Sequence, residues 1–213
     1  MVINNNRDRQ RTRVVYVPVN TGGGSGGGSQ AKIKVGENGL KFSNSTFTEV
    51  PDIFDFSDVT DMVYMFNYCF NLTTVSEMDT SKATTMESMF RNCSSLTNIP
   101  EMDTSNVTSM KYMFNSCSSL TSVPEMNTSN VTDMRYMFGR CKKITDLGGF
   151  VGLKCELDLS ESSNITHESL LNVINKAADV TASPAILVLG STNLAKLSDE
   201  EKAIATNKGW NLA

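Results

Sequence analysis

With 213 residues, 39% of them hydrophobic, the chain can bury a substantial core, and one elongated domain plus an appendage is the expected organisation. A formal net charge of −4 makes no general case for nucleic-acid binding. No apolar run is long enough to cross a membrane as a helix, and Met1–Arg7 lacks the apolar core and cleavage site of a secretory signal, so none is expected there.

Residues 1–21 differ in kind from the rest. Arg7, Arg9, Arg11 and Arg13 alternate with shorter polar residues and precede the β-prone run Val14–Val19, which includes Val15, Tyr16 and Val17. On an extended strand the alternation puts the charges on one side. Two readings stand: an anchoring arm that adds a strand to a partner or self-associates, or a basic leader without a fixed structure. Residues 22–29 are all Gly or Ser, a flexible linker with a root-mean-square span of roughly 15 Å. Residues 30–46 follow. Alternation in Ala31–Val35 and Leu40–Phe42 around Gly36-Glu37-Asn38-Gly39 predicts a β-hairpin serving as an amino-terminal cap.

The dominant signal lies in residues 47–153. Phe66, Phe90, Phe114 and Phe138 are each 24 residues apart, as are Met62, Met86, Met110 and Met134, and Cys69, Cys93, Cys117 and Cys141. Self-similarity at such a period predicts a solenoid whose units bury their apolar faces only by stacking. Within a unit, Val107, Met110, Met113, Phe114 and Cys117 have the spacing of one face of a short helix. Leu120 and Val123 read as the inward residues of a very short strand ending near Pro124. Asn127-Thr128-Ser129-Asn130 reads as a turn, with Ser129 the expected cap of the next helix. The expected fold class is therefore α/β, a short leucine-rich-repeat solenoid of 24-residue strand-turn-helix units.

The pattern D-T-S-N-V-T-x-M-x-x-M-F-x-x-C-x-x-L-T resembles the BspA-like leucine-rich repeats of bacterial and phage surface proteins. Asp79–Ile99, Asp103–Val123 and Asn127–Leu147 match it closely, and Asp55–Val75 loosely. Phe47–Ile53 looks like the tail of an earlier unit, offset by the extra Phe54. The resemblance implies a surface recognition module and no enzymatic activity.

Residues 154–213 are expected to form an α/β carboxy-terminal cap. Gly148, Gly149 and Gly152 are read as breaking the repeat pattern, and Leu157–Ser160 as one more strand. Thr166 should cap a helix running to about Ala178, with Leu170, Leu171, Val173 and Ile174 on its apolar side. Ala185–Leu189 reads as a buried strand, and Ser198-Asp199-Glu200-Glu201 as a capping box for a last helix that Gly209 ends, with Trp210 packed beneath. Leu194–Leu212 resembles carboxy-terminal caps of the same repeat family.

Few residues suggest chemistry. The four periodic cysteines read as inward core thiols, the methionines as gap-filling core, and His167 as a surface helix residue. No catalytic motif, cofactor or metal ligand set is expected. The outward columns are the binding candidates. Tyr64, Ser88, Tyr112 and Tyr136 are equivalent positions, with Lys111 and Arg135 beside them, a composition that binding surfaces favour. The bland alternative is tyrosines lying flat over neighbouring methionines. Glu77, Glu101 and Glu125 form an acidic column on the strand side, and the Asn106 and Asn130 sequons are by-products of the turn. Together these features suggest a non-enzymatic display and recognition protein. A virion component such as a head or tail fibre is favoured, anchored to other virion or surface proteins through residues 1–21, with a glycan or protein ligand on the repeat surface; self-trimerisation through residues 1–21 would support the fibre. A bacterial surface adhesin and a soluble protein-binding scaffold are the alternatives. Neither nucleic-acid specificity nor membrane insertion is expected. Removing residues 1–29 should leave a soluble protein with a cooperative melting transition; a non-cooperative melt would contradict the division into arm and body.

Overall fold

The computed structural model describes residues 33–37, 39–43 and 45–213; the arm (1–21) and the Gly/Ser linker (22–29) lie outside the described residues. The architecture is mixed α/β, with very short strands and few helices. Strand β1 (Ile33–Lys34) pairs in parallel with β2 (Phe54–Asp55), β3 (Ser122–Val123) with β5 (Asp146–Leu147), and β4 (Met126–Asn127) with β6 (Phe150–Val151). β7 (Leu157–Asp158), β8 (Ala185–Val188) and β9 (Trp210–Leu212) form a parallel sheet in that order, accompanied by α1 (His167–Lys176), α2 (Gly190–Leu194) and α3 (Asp199–Asn207).

The helix expected in each repeat does not form. Its residues instead make two consecutive four-residue turns, closed in the first full unit by Met65 N–H to Met62 O (3.2 Å) and Cys69 N–H to Phe66 O (3.1 Å). The third residue of each turn is left-handed: Tyr64 and Tyr68, then Ser88 and Asn92, Tyr112 and Ser116, Tyr136 and Arg140, with φ between 54° and 64°. A turn of type II needs φ > 0 at that place. Every second N–H group points sideways. Met62, Tyr64, Phe66 and Tyr68 donate to Thr85, Glu87, Met89 and Arg91 of the next unit at 2.8–3.1 Å, and the pattern repeats down the stack. A helix would need those donors internally. Ser129 accordingly caps no helix. Its N–H bonds Asn127 Oδ1 (3.1 Å) in a side-chain turn that Asp55, Asp79 and Asp103 repeat.

Met62, Met65, Phe66 and Cys69 and their counterparts face inward and are fully buried. Phe42, Phe66, Phe90, Phe114 and Phe138 form one column, with successive ring centroids 5.2–5.8 Å apart and planes within 14° of parallel. Each such side chain contributes on the order of 1.5–3 kcal/mol of burial free energy. The thiols of Cys69, Cys93, Cys117 and Cys141 donate to the carbonyls of Phe42, Phe66, Phe90 and Phe114 at 3.0–3.2 Å, so each unit is tied to its predecessor inside the core as well.

The amino-terminal cap also differs from expectation. Ile33–Val35 and Leu40–Phe42 do not pair as a hairpin. The first runs parallel to β2, while Phe42 N–H bonds Met65 O (2.6 Å) and the Phe42 ring heads the aromatic column. Ser45 lies 3.2 Å from Cys69 Sγ, in the cysteine position of an earlier unit. A two-stranded hairpin is marginal alone, whereas a partial unit covers the stack's open end with a matching ring. The extra Phe54 is accommodated as a register change: Thr73 N–H reaches Thr48 O, 25 residues back, but Thr84 N–H reaches Thr60 O, 24 back. Phe54 packs edge-on against Phe42 at 4.9 Å.

Outside the core, threonine Oγ1 groups of Thr84, Thr108 and Thr132 each donate to the threonine one unit earlier (3.0–3.3 Å). Lys34 and Lys82 both bind Asp58, bridging three successive units, and their ammonium groups hold its carboxyl down at about 2.

Gly148–Gly152 do not interrupt the register. Gly148 N–H bonds Val123 O (2.9 Å), and a Cβ there would come within 2.3 Å of Glu125 N, so only glycine permits the approach. Thr166 caps α1 by accepting from Ser169 N–H, and α1 ends at Lys176 with Leu170, Val173 and Ile174 buried and Leu171 only partly so. Ser198 and Glu201 form the expected capping box of α3. Gly209 turns the chain at φ +84°, and Trp210 is buried with Nε1–H on Ala178 O (2.9 Å). β8 stops at Val188, one residue short of the expected strand, and α2 and β9 are elements beyond the expected strands and helices.

Two consequences can be measured. Ser116→Val should lower the urea-unfolding free energy by about 1–3 kcal/mol, because a β-branched residue is forced to φ > 0, while Ser116→Gly should not. A helical unit would reverse that order. The depressed Asp58 carboxyl contributes stability that is fully present above the ordinary aspartate value of 3.8 and is lost as pH falls toward about 2. The urea midpoint should fall across that window, less steeply in Asp58→Asn.

Candidate functional site

The left-handed third residue of the first turn projects away from the core, and this places the tyrosine column outside. Tyr112 and Tyr136 stack at 5.0 Å with planes 11° apart, and Tyr136 is 56% and Tyr64 42% exposed. The rings of this pair therefore face each other rather than lying flat over the methionines. Lys111 Nζ sits 5.3 Å from the Tyr112 ring centroid. Arg135 is turned differently: its Nε and Nη2 fork onto Asp133 Oδ1 and Oδ2 at 3.0 and 2.6 Å, which spends its charge locally.

Tyr64 is separated from this pair by Ser88, the one small residue in the column. Ser88 is 1% exposed although it occupies an outward position. Arg91, in the second turn of the same unit, supplies the missing planar group, its guanidinium carbon 5.0 Å from the Tyr112 ring centroid. The other units carry Asn67, Asn115 and Gly139 where Arg91 stands. The substitution leaves polar atoms unsatisfied: Asn67 Oδ1, Ser88 Oγ and Arg91 Nε are buried without a hydrogen-bond partner. Each such group costs about 1–3 kcal/mol.

Sequence reasoning missed Arg91. It also missed Tyr68 (39% exposed) and Phe70 (51% exposed), which contact edge-to-face at 5.7 Å on the same unit as Tyr64. Both lay in view once the units were aligned, since the later copies have Asn92, Ser116 and Arg140, and Ser94, Ser118 and Lys142, at these positions.

The other candidates resolve into structural roles or plain surface. Glu77 and Glu101, with Asp52 and Asp79, line an open groove of about 980 Å³, whereas Glu125 in the same column is engaged by Lys176 at 2.6 Å. Burial drives the Cys117 thiol well up and the Cys141 thiol to about 12, which keeps both protonated. Cys155, half-buried, is raised to about 11 for the same reason. His167 Nε2 lies 2.9 Å from Glu201 Oε1, linking α1 to α3. Asn106 and Asn130 donate through Nδ2 to Ser81 O and Ser105 O (2.8 and 2.7 Å), so these sequon amides stitch one unit to the next. No group of three or more His, Cys, Asp or Glu residues able to hold a metal occurs among the described residues. The predicted arm residues, Arg7 to Val17, lie outside them.

Comparison with known proteins gives three findings. No curated protein matches the sequence. Among solved structures, the crystal structure of a T. pallidum leucine-rich-repeat protein (TpLRR) superposes with a TM-score of 0.45 at 14% identity, covering 81% of this chain and 86% of that one. The family described as "Mycoplasma protein of unknown function, DUF285" matches residues 39–148, a span that contains the whole Phe42–Phe138 aromatic column. That match takes in just over half of the chain, which therefore belongs to the DUF285 family.

Proposed function

We propose that this chain is a non-enzymatic recognition protein of the BspA-like leucine-rich-repeat type, a short solenoid displayed on a surface. Its outward tyrosine column engages a host ligand. The observation that carries the reading is the column itself. A rigid stack of units holds Tyr64, Tyr112 and Tyr136 in line, partly exposed, with Arg91 and Lys111 against the Tyr112 ring. Aromatic and arginine side chains held rigidly at a surface lose little entropy on binding and dominate interface energetics.

The display setting is a virion, in which residues 1–21 anchor the protein to a head or tail fibre and the Gly/Ser linker lets the repeats face outward. The sequence layout of arm, linker and body supports this. A bacterial cell-surface adhesin is the second reading, favoured by the family's description from Mycoplasma, a bacterium.

Retention on host cells tests the recognition reading. The full chain and a chain lacking residues 1–29 should be retained equally, and Tyr112→Ser/Tyr136→Ser should lose at least tenfold in retention with an unchanged melting transition. Undiminished retention of that double variant would sink the role of the column. Capture of virion proteins by the full chain but not by the shortened one would select the virion; capture of cell-envelope proteins would select the adhesin.

A further inference from the structure

We infer that the break in the tyrosine column at Ser88 is a slot for one pyranose ring of a glycan, closed in this structure by Arg91. The inference rests on the column being a recognition surface and names the ligand class that part of it takes. Tyr64 and Tyr112 are two repeats apart, so their backbones are separated by about two strand spacings, on the order of 10 Å. The core column and the Tyr112–Tyr136 pair show that one ring per unit fills such spacing, at 5.0–5.8 Å between centroids. A single ring is missing, and its place is taken by the guanidinium over Tyr112.

The polar atoms at the slot argue for a hydroxylated occupant. Ser88 Oγ, a donor and acceptor, Asn67 Oδ1, an acceptor, and Arg91 Nε, a donor, are all buried and unpaired. They belong together: Arg91 N–H bonds Ser88 O (3.2 Å), and Tyr68 N–H bonds Arg91 O (2.9 Å), which sets Asn67 beside Arg91. Buried polar atoms in native proteins are nearly always paired, so three unpaired ones on neighbouring residues point to a missing partner. A pyranose presents C–H faces to the flanking tyrosines and hydroxyls that both donate and accept. When Arg91 swings off Tyr112 it exposes the ring face and brings its own donors to the sugar edge. An aromatic side chain of a partner protein would fill the space and leave the polar atoms unmet.

The test uses the full chain and four probes: methyl β-galactopyranoside, methyl α-mannopyranoside, N-acetylglucosamine and N-acetyltyrosine amide. Binding is followed by the Arg91 Nε–H nuclear magnetic resonance signal. At least one sugar should shift that signal saturably. Ser88→Tyr, which installs the residue of the other units, should weaken binding at least tenfold, and so should Tyr64→Ala, which removes one wall without touching the core. The slot is refuted if only N-acetyltyrosine amide binds, or if a sugar binds equally well to Ser88→Tyr and Tyr64→Ala. If no probe binds while host cells are still retained, the slot falls and the recognition reading survives. If neither binds, both fall.

Discussion

Everything in this molecule depends on backbone N–H groups that leave their own unit and bond the carbonyls of the next. In the turn region every second residue does so, from Met62 to Thr85 through Tyr68 to Arg91, and again two units further on. A single unit has neither the hydrogen bonds nor the buried area to exist alone. Stacking supplies both, because the 24-residue step brings Phe onto Phe and sets each cysteine thiol on the phenylalanine carbonyl of the unit before its own. The strain of eight non-glycine residues at φ > 0 among the described residues is tolerated because their neighbours are pinned on both sides.

That dependence explains what was legible in the sequence and what was not. The period was plain, and so were the inward residues, since apolar identity recurs at exact intervals. The local conformation was not. Met62, Met65, Phe66 and Cys69 lie at i, i+3, i+4 and i+7, the signature of a helical face. Two successive four-residue turns, each with inward first and fourth residues, generate the same spacing. Only the destination of the N–H groups separates the two, and that is a property of the neighbouring unit. The hairpin reading failed for a related reason. Local alternation and the Gly36–Gly39 turn were real, but Phe42 stands 24 residues before Phe66 and answers to the column. In the carboxy-terminal cap, where helices end on their own side chains, Thr166, Ser198 and Glu201 were read correctly. Local capping chemistry survives translation from sequence; long-range pairing does not.

The candidate site divides along the same line. The tyrosine column could be listed from periodicity, because its members occupy one position of the repeat. Its geometry could not, because whether Arg135 reaches a ring or folds back on Asp133 is decided by a residue two positions away. Arg91 carries no periodic signal of its own, since the equivalent positions hold Asn67, Asn115 and Gly139. Its meaning appears only when Ser88 is seen as a deletion in the column that a side chain three residues on fills. The acidic column shows the converse: Glu125 matches Glu77 and Glu101 in sequence, yet Lys176 from α1 removes it from the open groove.

A backbone tied on both sides has a further consequence for how such a surface can change. The residues at the left-handed positions Tyr64, Ser88 and Tyr112 tie the stack through their main-chain N–H groups, so these inter-unit bonds do not depend on which side chain stands there. Exchanging tyrosine for serine there leaves the register intact, as the unbroken bonding across Ser88 shows: Ser88 N–H still reaches Lys111 O at 2.9 Å. The core positions have no such freedom, because a shortened side chain at Phe90 would leave both ring neighbours unmatched. Conformational strain, concentrated at the outward positions, thus coincides with freedom of side-chain choice. A surface can be respecified one unit at a time while the scaffold beneath it stays the same, and the Ser88–Arg91 pair is one such local change.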